Sequence, residues 1–134
     1  MTPAVVDTSV WIDFLRGTGS PHAAVLHEMI QDDTPVFITP AILQELLMGA
    51  PDEQQAHELR ETLLAFGMLH HDPVTAATGA AALYRAARRQ GVTVRKSIDC
   101  LVAREALKAG LPVLHKDRDF DLLSEVSDLA IVSV

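Results

Sequence analysis

The sequence predicts one α/β domain over residues 1–134, in which a short parallel sheet of four to five strands is flanked by helices on both faces. Short apolar runs alternate along the chain with longer segments that carry helix start and stop signals, which is the pattern of a parallel sheet with helical connections. The runs are uninterrupted and partly β-branched, as is typical of strands buried on both faces. The length of 134 residues corresponds to a single ordinary domain.

In the first half of the chain, the predicted strand Ala4–Val6 is followed by a helix over His22–Gln31 and a strand over Val36–Ile38. Thr39–Pro40 then opens a helix that runs to Met48, because Thr is a good N-cap and Pro suits the first helical position. This helix is apolar almost all round, so we expect it to be buried.

The second half follows the same alternation. Asp52 is predicted to cap a helix that runs to about Ala65, and Met68–Leu69 is the candidate fifth strand. Asp72–Pro73 opens a helix that ends near Gln90–Gly91. The remaining predicted elements are a helix capped by Ser97 that ends at Gly110, and strands at Val113–Leu114 and Ala130–Val134.

The composition excludes several classes of protein. The single Cys100 excludes an internal disulfide framework and a zinc site built from several thiolates. Six aromatic residues (one Trp, one Tyr and four Phe) are too few for a base-stacking platform, and the net charge of −7 argues against nucleic-acid binding through overall charge. No apolar stretch approaches the ~18 residues of a membrane span, and the N-terminus lacks the basic start of a signal peptide. We therefore expect a cytoplasmic protein without a membrane partner.

Two carboxylates follow predicted strands. Asp7 comes directly after Ala4–Val6, and Asp117 comes shortly after Val113–Leu114. Ligands of parallel sheets bind at the carboxyl ends of the strands, so both acids stand where a binding site is expected. Capping of the next helix is the alternative role for Asp7, although the two hydroxyl residues that follow it are able to cap as well.

Two further acids fall on apolar helix faces. Glu45 lies between Ala41 and Ile42 on the helical wheel, and Asp99 heads an apolar stripe in the first turn of its helix. Burial of a bare charge is costly, so each of these acids needs a partner. Pairing with an Arg, or a position at the helix rim, is the alternative for Glu45. Interaction with the helix N-terminus is the alternative for Asp99.

The densest acidic segment, Asp117–Asp121, has acids at alternate positions. It resembles the beginning of an EF-hand loop, but Leu122 stands at the sixth position, where that loop requires Gly. We therefore exclude a calcium site of the EF-hand type. The alternative is a solvated helix start, which suits Asp121 best.

A cluster of acids at one sheet edge requires compensation. Two like charges ~4 Å apart repel by roughly 4 kcal/mol at an effective dielectric constant near 20, so protonation or cations must offset them. All-oxygen ligands favour Mg²⁺ or Mn²⁺ over zinc. Carboxylate-held Mg²⁺ recurs in enzymes that cleave phosphodiesters.

Four parts of the sequence together resemble a PIN-domain ribonuclease of the VapC toxin type, over the whole chain. They are Val5–Asp13, Glu45, Arg95–Ala103 and His115–Phe120. The resemblance places the first acid of the family on Asp7, its glutamate on Glu45 and its third acid on Asp99. The last acidic position falls on Asp117 or Asp119, and Asp117 is favoured because it is nearer the strand end.

The resemblance implies a Mg²⁺-dependent endoribonuclease, with Mn²⁺ as a substitute, that cleaves RNA phosphodiester bonds by metal-activated water. It also implies a toxin that is neutralised by a cognate VapB-type antitoxin and that forms a homodimer, or a heteromer with that antitoxin. We expect part of the antitoxin groove on two of the helices predicted between His22 and Leu64, with a simple core role as the alternative for most of their apolar residues. Those residues are Val25, Leu26, Met29, Leu59, Leu63 and Leu64.

A basic segment precedes Asp99. No acidic residue occurs from Pro73 to Ile98, whereas five cations do: Arg85, Arg88, Arg89, Arg95 and Lys96. A local basic rim would position the RNA backbone against an otherwise acidic protein, with Arg95 and Lys96 nearest the scissile phosphate. The alternative is a solvated helix end whose cations offset the helix dipole.

Two other functions are compatible with parts of the pattern. A phosphohydrolase of the haloacid-dehalogenase type also opens with a strand and an Asp, but it requires a second acid where this chain has Ser9. A catalytically silent PIN-fold module for RNA binding or interaction would have no use for a complete set of mutually repelling acids. An RNA digest with and without Mg²⁺ separates the three functions.

Overall fold

A computed structural model describes all 134 residues and contains one four-stranded sheet in the order β3-β2-β1-β4. All three strand pairings are parallel. The strands are β1 (Ala4–Val6), β2 (Val36–Ile38), β3 (Gly67–Met68) and β4 (Val113–Leu114). The predicted α/β class and parallel sheet are therefore confirmed.

Seven helices flank the sheet. They are α1 (Thr8–Arg16), α2 (Pro21–Gln31), α3 (Pro40–Met48), α4 (Glu53–Leu64), α5 (Pro73–Arg89), α6 (Ile98–Ala109) and α7 (Arg118–Glu125). The predicted caps of α3, α4 and α5 form as expected, because the side chains of Thr39, Asp52 and Asp72 each accept a hydrogen bond from the backbone N–H three residues later. None of the helices is long and apolar enough to cross a membrane.

Three predicted details are wrong. Ala130–Val134 is not a strand, since only Ile131 pairs with the sheet, through a single bridge to Val113. Its neighbour β4 is itself only two residues long. The third strand lies one residue earlier than predicted, at Gly67–Met68. Ser97 does stand at the N-cap of α6, but its side chain makes no capping hydrogen bond and its own backbone is already helical, with φ −60° and ψ −26°.

Strand β1 lies inside the sheet and places the residue that follows it, Asp7, near the middle of the molecule. All three residues of β1 are completely buried, since β2 pairs with one side of the strand and β4 with the other. The backbone N–H of Asp7 continues this ladder by donating to the carbonyl of Leu114 at 2.9 Å. The carboxyl ends of β1 and β4 are thus held side by side; Asp7 directly follows β1, and Asp117 comes three residues after the end of β4.

Candidate active site

Asp7 occupies the N-cap of α1 and is 2% exposed. Its Oδ2 accepts hydrogen bonds from the backbone N–H and the hydroxyl of Ser9, at 3.1 and 2.6 Å. The capping role considered for Asp7 is therefore present in the structure, and it fixes the carboxylate at the end of β1. The Ser9 hydroxyl also accepts from the backbone N–H of Lys116 at 3.0 Å, which ties the end of β4 to the start of α1.

Asp99 lies in the first turn of α6 and is 1% exposed. Its Oδ2 is buried without a hydrogen-bond partner. Burial, together with the negative charges of Asp7 and Asp117, raises the pKa of the Asp99 carboxyl from 3.8 to about 8. Without a cation, Asp99 therefore keeps its proton at neutral pH.

Asp117 caps α7, and both oxygens of its carboxylate have a donor nearby. Its Oδ1 accepts from the backbone N–H of Asp119 at 3.0 Å, and its Oδ2 lies 2.8 Å from Nζ of Lys96. Burial by itself raises the pKa of Asp117, but the hydrogen bonds from Lys96 and from the Asp119 backbone outweigh it, so the net pKa is below its usual value. The same contact raises the pKa of Lys96. Asp117 and Lys96 thus form an ion pair beside the protonated Asp99.

Asp119 is completely buried and faces the loop before α6. Its Oδ2 accepts from the backbone N–H groups of Arg95 and Lys96, at 3.0 and 3.2 Å. Its Oδ1 is buried without a hydrogen bond and lies 3.6 Å from Nε of Arg95. Asp119 therefore holds the basic loop in place with Oδ2, while its Oδ1 forms only an ion pair with Arg95.

Three carboxylates meet closely enough to share one cation. One oxygen from each of Asp99, Asp117 and Asp119 lies within 4.8 Å of the others, so the group could hold a metal ion. Asp7 acts on this group through its charge on Asp99. The structure thus brings Asp117 and Asp119, which follow β4, together with Asp99 of α6, and Asp7 lies outside this close group.

Glu45 stands outside that group of three but is linked to it through α1. It is half-buried on α3 and accepts a hydrogen bond from Oγ1 of Thr8 at 2.8 Å. The partner of this inward-facing acid is therefore a hydroxyl, and the alternative of an Arg partner is wrong. Because Thr8 directly follows Asp7, the contact places the Glu45 carboxylate on the Asp7 side of the cluster.

The five basic residues are not equivalent. Arg95 and Lys96 contact the acids directly, as described above, and both side chains are more than half exposed. Arg85 lines a cavity of about 490 Å³ together with Arg95, whereas Arg88 stacks near the ring of Tyr84 with 5.9 Å to the centroid. Arg89 is exposed in the last turn of α5. Only two of the five therefore line the acidic site, and their contact with RNA remains a prediction.

Other residues near the site have defined structural roles. Burial, followed by the charges of Asp99 and Asp119, raises the pKa of the Cys100 thiol to about 11, so it does not act as a nucleophile at neutral pH. Asp121 is mostly exposed and pairs with Nε2 of His115 at 3.1 Å. The ion pair between Lys116 and Asp13 was not foreseen, because contacts between segments about 100 residues apart leave no periodic signal in the sequence.

Comparison with known proteins agrees with this geometry. The family model of the PIN domain matches residues 4–126. The chain is 33% identical over 130 residues, 96% of its length and 97% of theirs, to VapC ribonuclease Mb1587 of Mycobacterium bovis and to ribonuclease VapC11 of Mycobacterium tuberculosis.

Solved structures share the fold. DNA-bound VapBC from Salmonella typhimurium matches with a TM-score of 0.75 and 19% identity over 98% of both chains. VapBC-5 from Mycobacterium tuberculosis, described as a toxin-antitoxin system, matches with a TM-score of 0.68 and 25% identity over 100% of both chains. The chain therefore belongs to the PIN-domain family, within its group of VapC ribonucleases.

Proposed function

We propose that this chain is the toxin of a VapBC-type pair and that it hydrolyses RNA phosphodiester bonds with the help of Mg²⁺. The observation that carries the proposal is Asp99, a buried carboxyl with an unpartnered oxygen and a raised pKa between two other acids. A carboxyl in that state lowers the stability of the folded chain when no cation is bound. A bound cation would compensate for its negative charge. The sequence similarity of this chain to the VapC ribonucleases supplies the substrate class, which is RNA.

The residues present fit a hard divalent cation. Every donor in the cluster is a carboxylate oxygen, and Mg²⁺ and Mn²⁺ prefer such ligands, with several waters retained. We assign Asp7, Asp99 and Asp117 as ligands together with Glu45, and Asp119 as a further ligand through its Oδ1, which accepts no hydrogen bond. The bound cation supplies activation of water and neutralisation of the phosphate charge.

The side chains of the chain itself perform the remaining tasks. Asp99 gives up its proton when the cation binds, since a ligand must be deprotonated. Thr8 and Ser9 orient the carboxylates of Glu45 and Asp7 through the hydrogen bonds described above. Lys96 and Arg95 stand at the exposed rim and position the RNA backbone nearest the scissile phosphate.

The partner follows from the same kinship. Structures of VapBC complexes share this fold, and we propose a VapB-type antitoxin as the partner of this chain, with a homodimer of the toxin as its second assembly. A cavity of about 310 Å³ between α1, α3 and α4 is the proposed antitoxin groove, and Glu45 lines it together with Leu46 and Leu59. Leu26, Met29 and Leu63 are buried core residues and do not contribute to this surface.

The test is cleavage of RNA by the purified chain in Mg²⁺ and in EDTA, with the cleavage ends sequenced. We expect Mg²⁺-dependent cleavage by the wild type and by Asp128→Asn, an exposed control acid, and loss of at least a hundredfold in rate for Asp99→Asn. Cleavage that continues in EDTA would contradict the metal assignment. RNA binding without cleavage would favour the silent interaction module instead.

A further inference from the structure

A third cavity, of about 300 Å³, is lined by residues of α3, α5 and α6 and is not used by the proposed chemistry. It is enclosed by the start of α3, the segment after β3, and the facing sides of α5 and α6. The residues that matter for its chemistry are Ala41, His70, His71, Ala76, Leu101 and Glu105. Its volume falls at the lower end of the roughly 300–1,000 Å³ typical of small-molecule pockets, so it suits one small planar group.

This cavity, which we call the side pocket, adjoins the acids through two helices. Ala41 and Glu45 are four residues apart on α3, a spacing that puts two side chains on one face about 5–6 Å apart. On α6, Glu105 lies six residues after Asp99, which is about 9 Å along the helix axis. A strand of RNA held at the acids is therefore within reach of the side pocket.

Glu105 gives the side pocket a specific chemistry. Its carboxylate is 5% exposed, and its only hydrogen-bond partner is Nδ1 of His71, which contacts Oε2. An ionised carboxylate offers about four acceptor positions, and buried polar groups are usually satisfied. Glu105 is thus a buried acceptor with spare capacity on the wall of a mostly apolar pocket.

We propose that the side pocket binds one guanine base of the RNA next to the cleaved bond and that Glu105 selects it. The inference rests on the proposed ribonuclease function. The Watson–Crick edge of guanine presents two adjacent N–H donors to a single carboxylate. Adenine and cytosine each present one amino group next to an acceptor, and uracil presents one N–H between two acceptors.

The rest of the pocket matches a splayed-out base. Sequence-specific recognition of RNA commonly places unstacked bases against aromatic rings or guanidinium planes and reads their edges by hydrogen bonds. His70 and His71 supply the rings, and the side chains of Ala41 and Leu101 supply apolar contacts to the base. His71 is a positioning residue, because its hydrogen bond to Oε2 fixes the carboxylate of Glu105.

The first test measures binding without cleavage. The Asp99→Asn protein is titrated with GMP, AMP, CMP and UMP and followed by NMR chemical shifts. All four share the phosphate, so differences report the base alone. We expect GMP to bind about tenfold more tightly than the others.

The variants sharpen this test. Glu105→Gln should abolish the preference for GMP, because a carboxamide offers one acceptor and one donor, which match the edges of adenine and cytosine at least as well as that of guanine. Ala76→Leu should abolish the preference by filling the pocket while leaving Glu105 in place. Glu125→Gln, an exposed acid at the end of α7, should keep the preference for GMP. Equal binding of the four nucleotides by the parent protein would overturn the proposal.

The second test sequences the RNA ends produced by the otherwise wild-type chain and by its Glu105→Gln variant. We expect guanine at one fixed position beside the cut for the wild type and loss of this preference for the variant. Cleavage with no base preference, or with the same preference in both proteins, would refute the side pocket while the ribonuclease function stands. Selective GMP binding by a chain that cuts no RNA would leave the pocket intact and refute the proposed function.

Discussion

Asp99→Asn is expected to make the metal-free protein more stable at neutral pH, although it removes a proposed ligand. The pKa of Asp99 is about 8 in the folded state and 3.8 in a model peptide. The folded state therefore binds a proton that the unfolded state releases between these values. The favourable contribution is complete below pH 3.8 and is lost as the pH rises to about 8.

The size of the stability change follows from the difference between the working pH and the pKa of Asp99 in the unfolded state. At pH 7 this difference is about three units, and each unit corresponds to about 1.36 kcal/mol, so proton uptake costs the wild type roughly 4 kcal/mol of folding free energy. Asn does not titrate, and it keeps the shape of the side chain. We expect a gain of about 2–4 kcal/mol at pH 7, since the buried amide offsets part of the benefit.

The assay is urea unfolding in EDTA at pH 5, 6, 7 and 8, followed by the fluorescence of the single, buried Trp11. The advantage of Asp99→Asn should grow with pH over this range, whereas Asp128→Asn should follow the wild type. Added Mn²⁺ should stabilise the wild type by mass action and the Asn variant much less. A variant that folds but is less stable than the wild type at pH 7, or an advantage that does not change with pH, would refute the reasoning.

Three further outcomes test other parts of the site. In a calorimetric titration, Mn²⁺ should bind the Asp7→Asn, Asp99→Asn double variant at least tenfold more weakly than the wild type. Binding to the wild type at pH 7 should also release protons from Asp99. Equal affinities would exclude these acids as ligands. In the inactive Asp99→Asn background, Arg95→Ala and Lys96→Ala should each flatten the log–log salt dependence of single-stranded RNA binding by roughly 0.7, and an unchanged slope would assign these cations to a solvated face. Thr8→Val should cost about 1 kcal/mol of stability and slow RNA cleavage by misplacing Glu45, whereas the exposed Thr62→Val should leave the cleavage rate unchanged; equal rates for both would show that the contact between Thr8 and Glu45 does not matter for activity.

Much of the fold was predictable because its signals are local. Thr39, Asp52 and Asp72 cap helices through hydrogen bonds three residues along the chain, and a capping pattern of that length is visible in the sequence. The final segment, Ala130–Val134, has the composition of a strand, but whether it forms one depends on the length of its neighbour. Only a single bridge forms beside the short β4.

The site divides in the same way. Asp7 and Asp117 were found because they follow strands, and the inward place of Asp99 followed from the helical wheel. The contacts of Asp119 with the backbone of Arg95 and Lys96, and the pairing of His71 with Glu105, join segments 23 to 34 residues apart. Such pairs depend on tertiary packing and leave no spacing that a single sequence reveals.

The helix ends around the acids bear on how the chain folds before a cation binds. Asp7 and Asp117 each cap a helix, and Asp99 lies in the first turn of a third, so three helix N-termini converge on the acids. Each end carries the equivalent of roughly half a positive charge. The backbone thus supplies a built-in counter-charge that is present before any ion arrives. This counter-charge offsets part of the repulsion between the acids in the metal-free chain, and a bound cation offsets the rest.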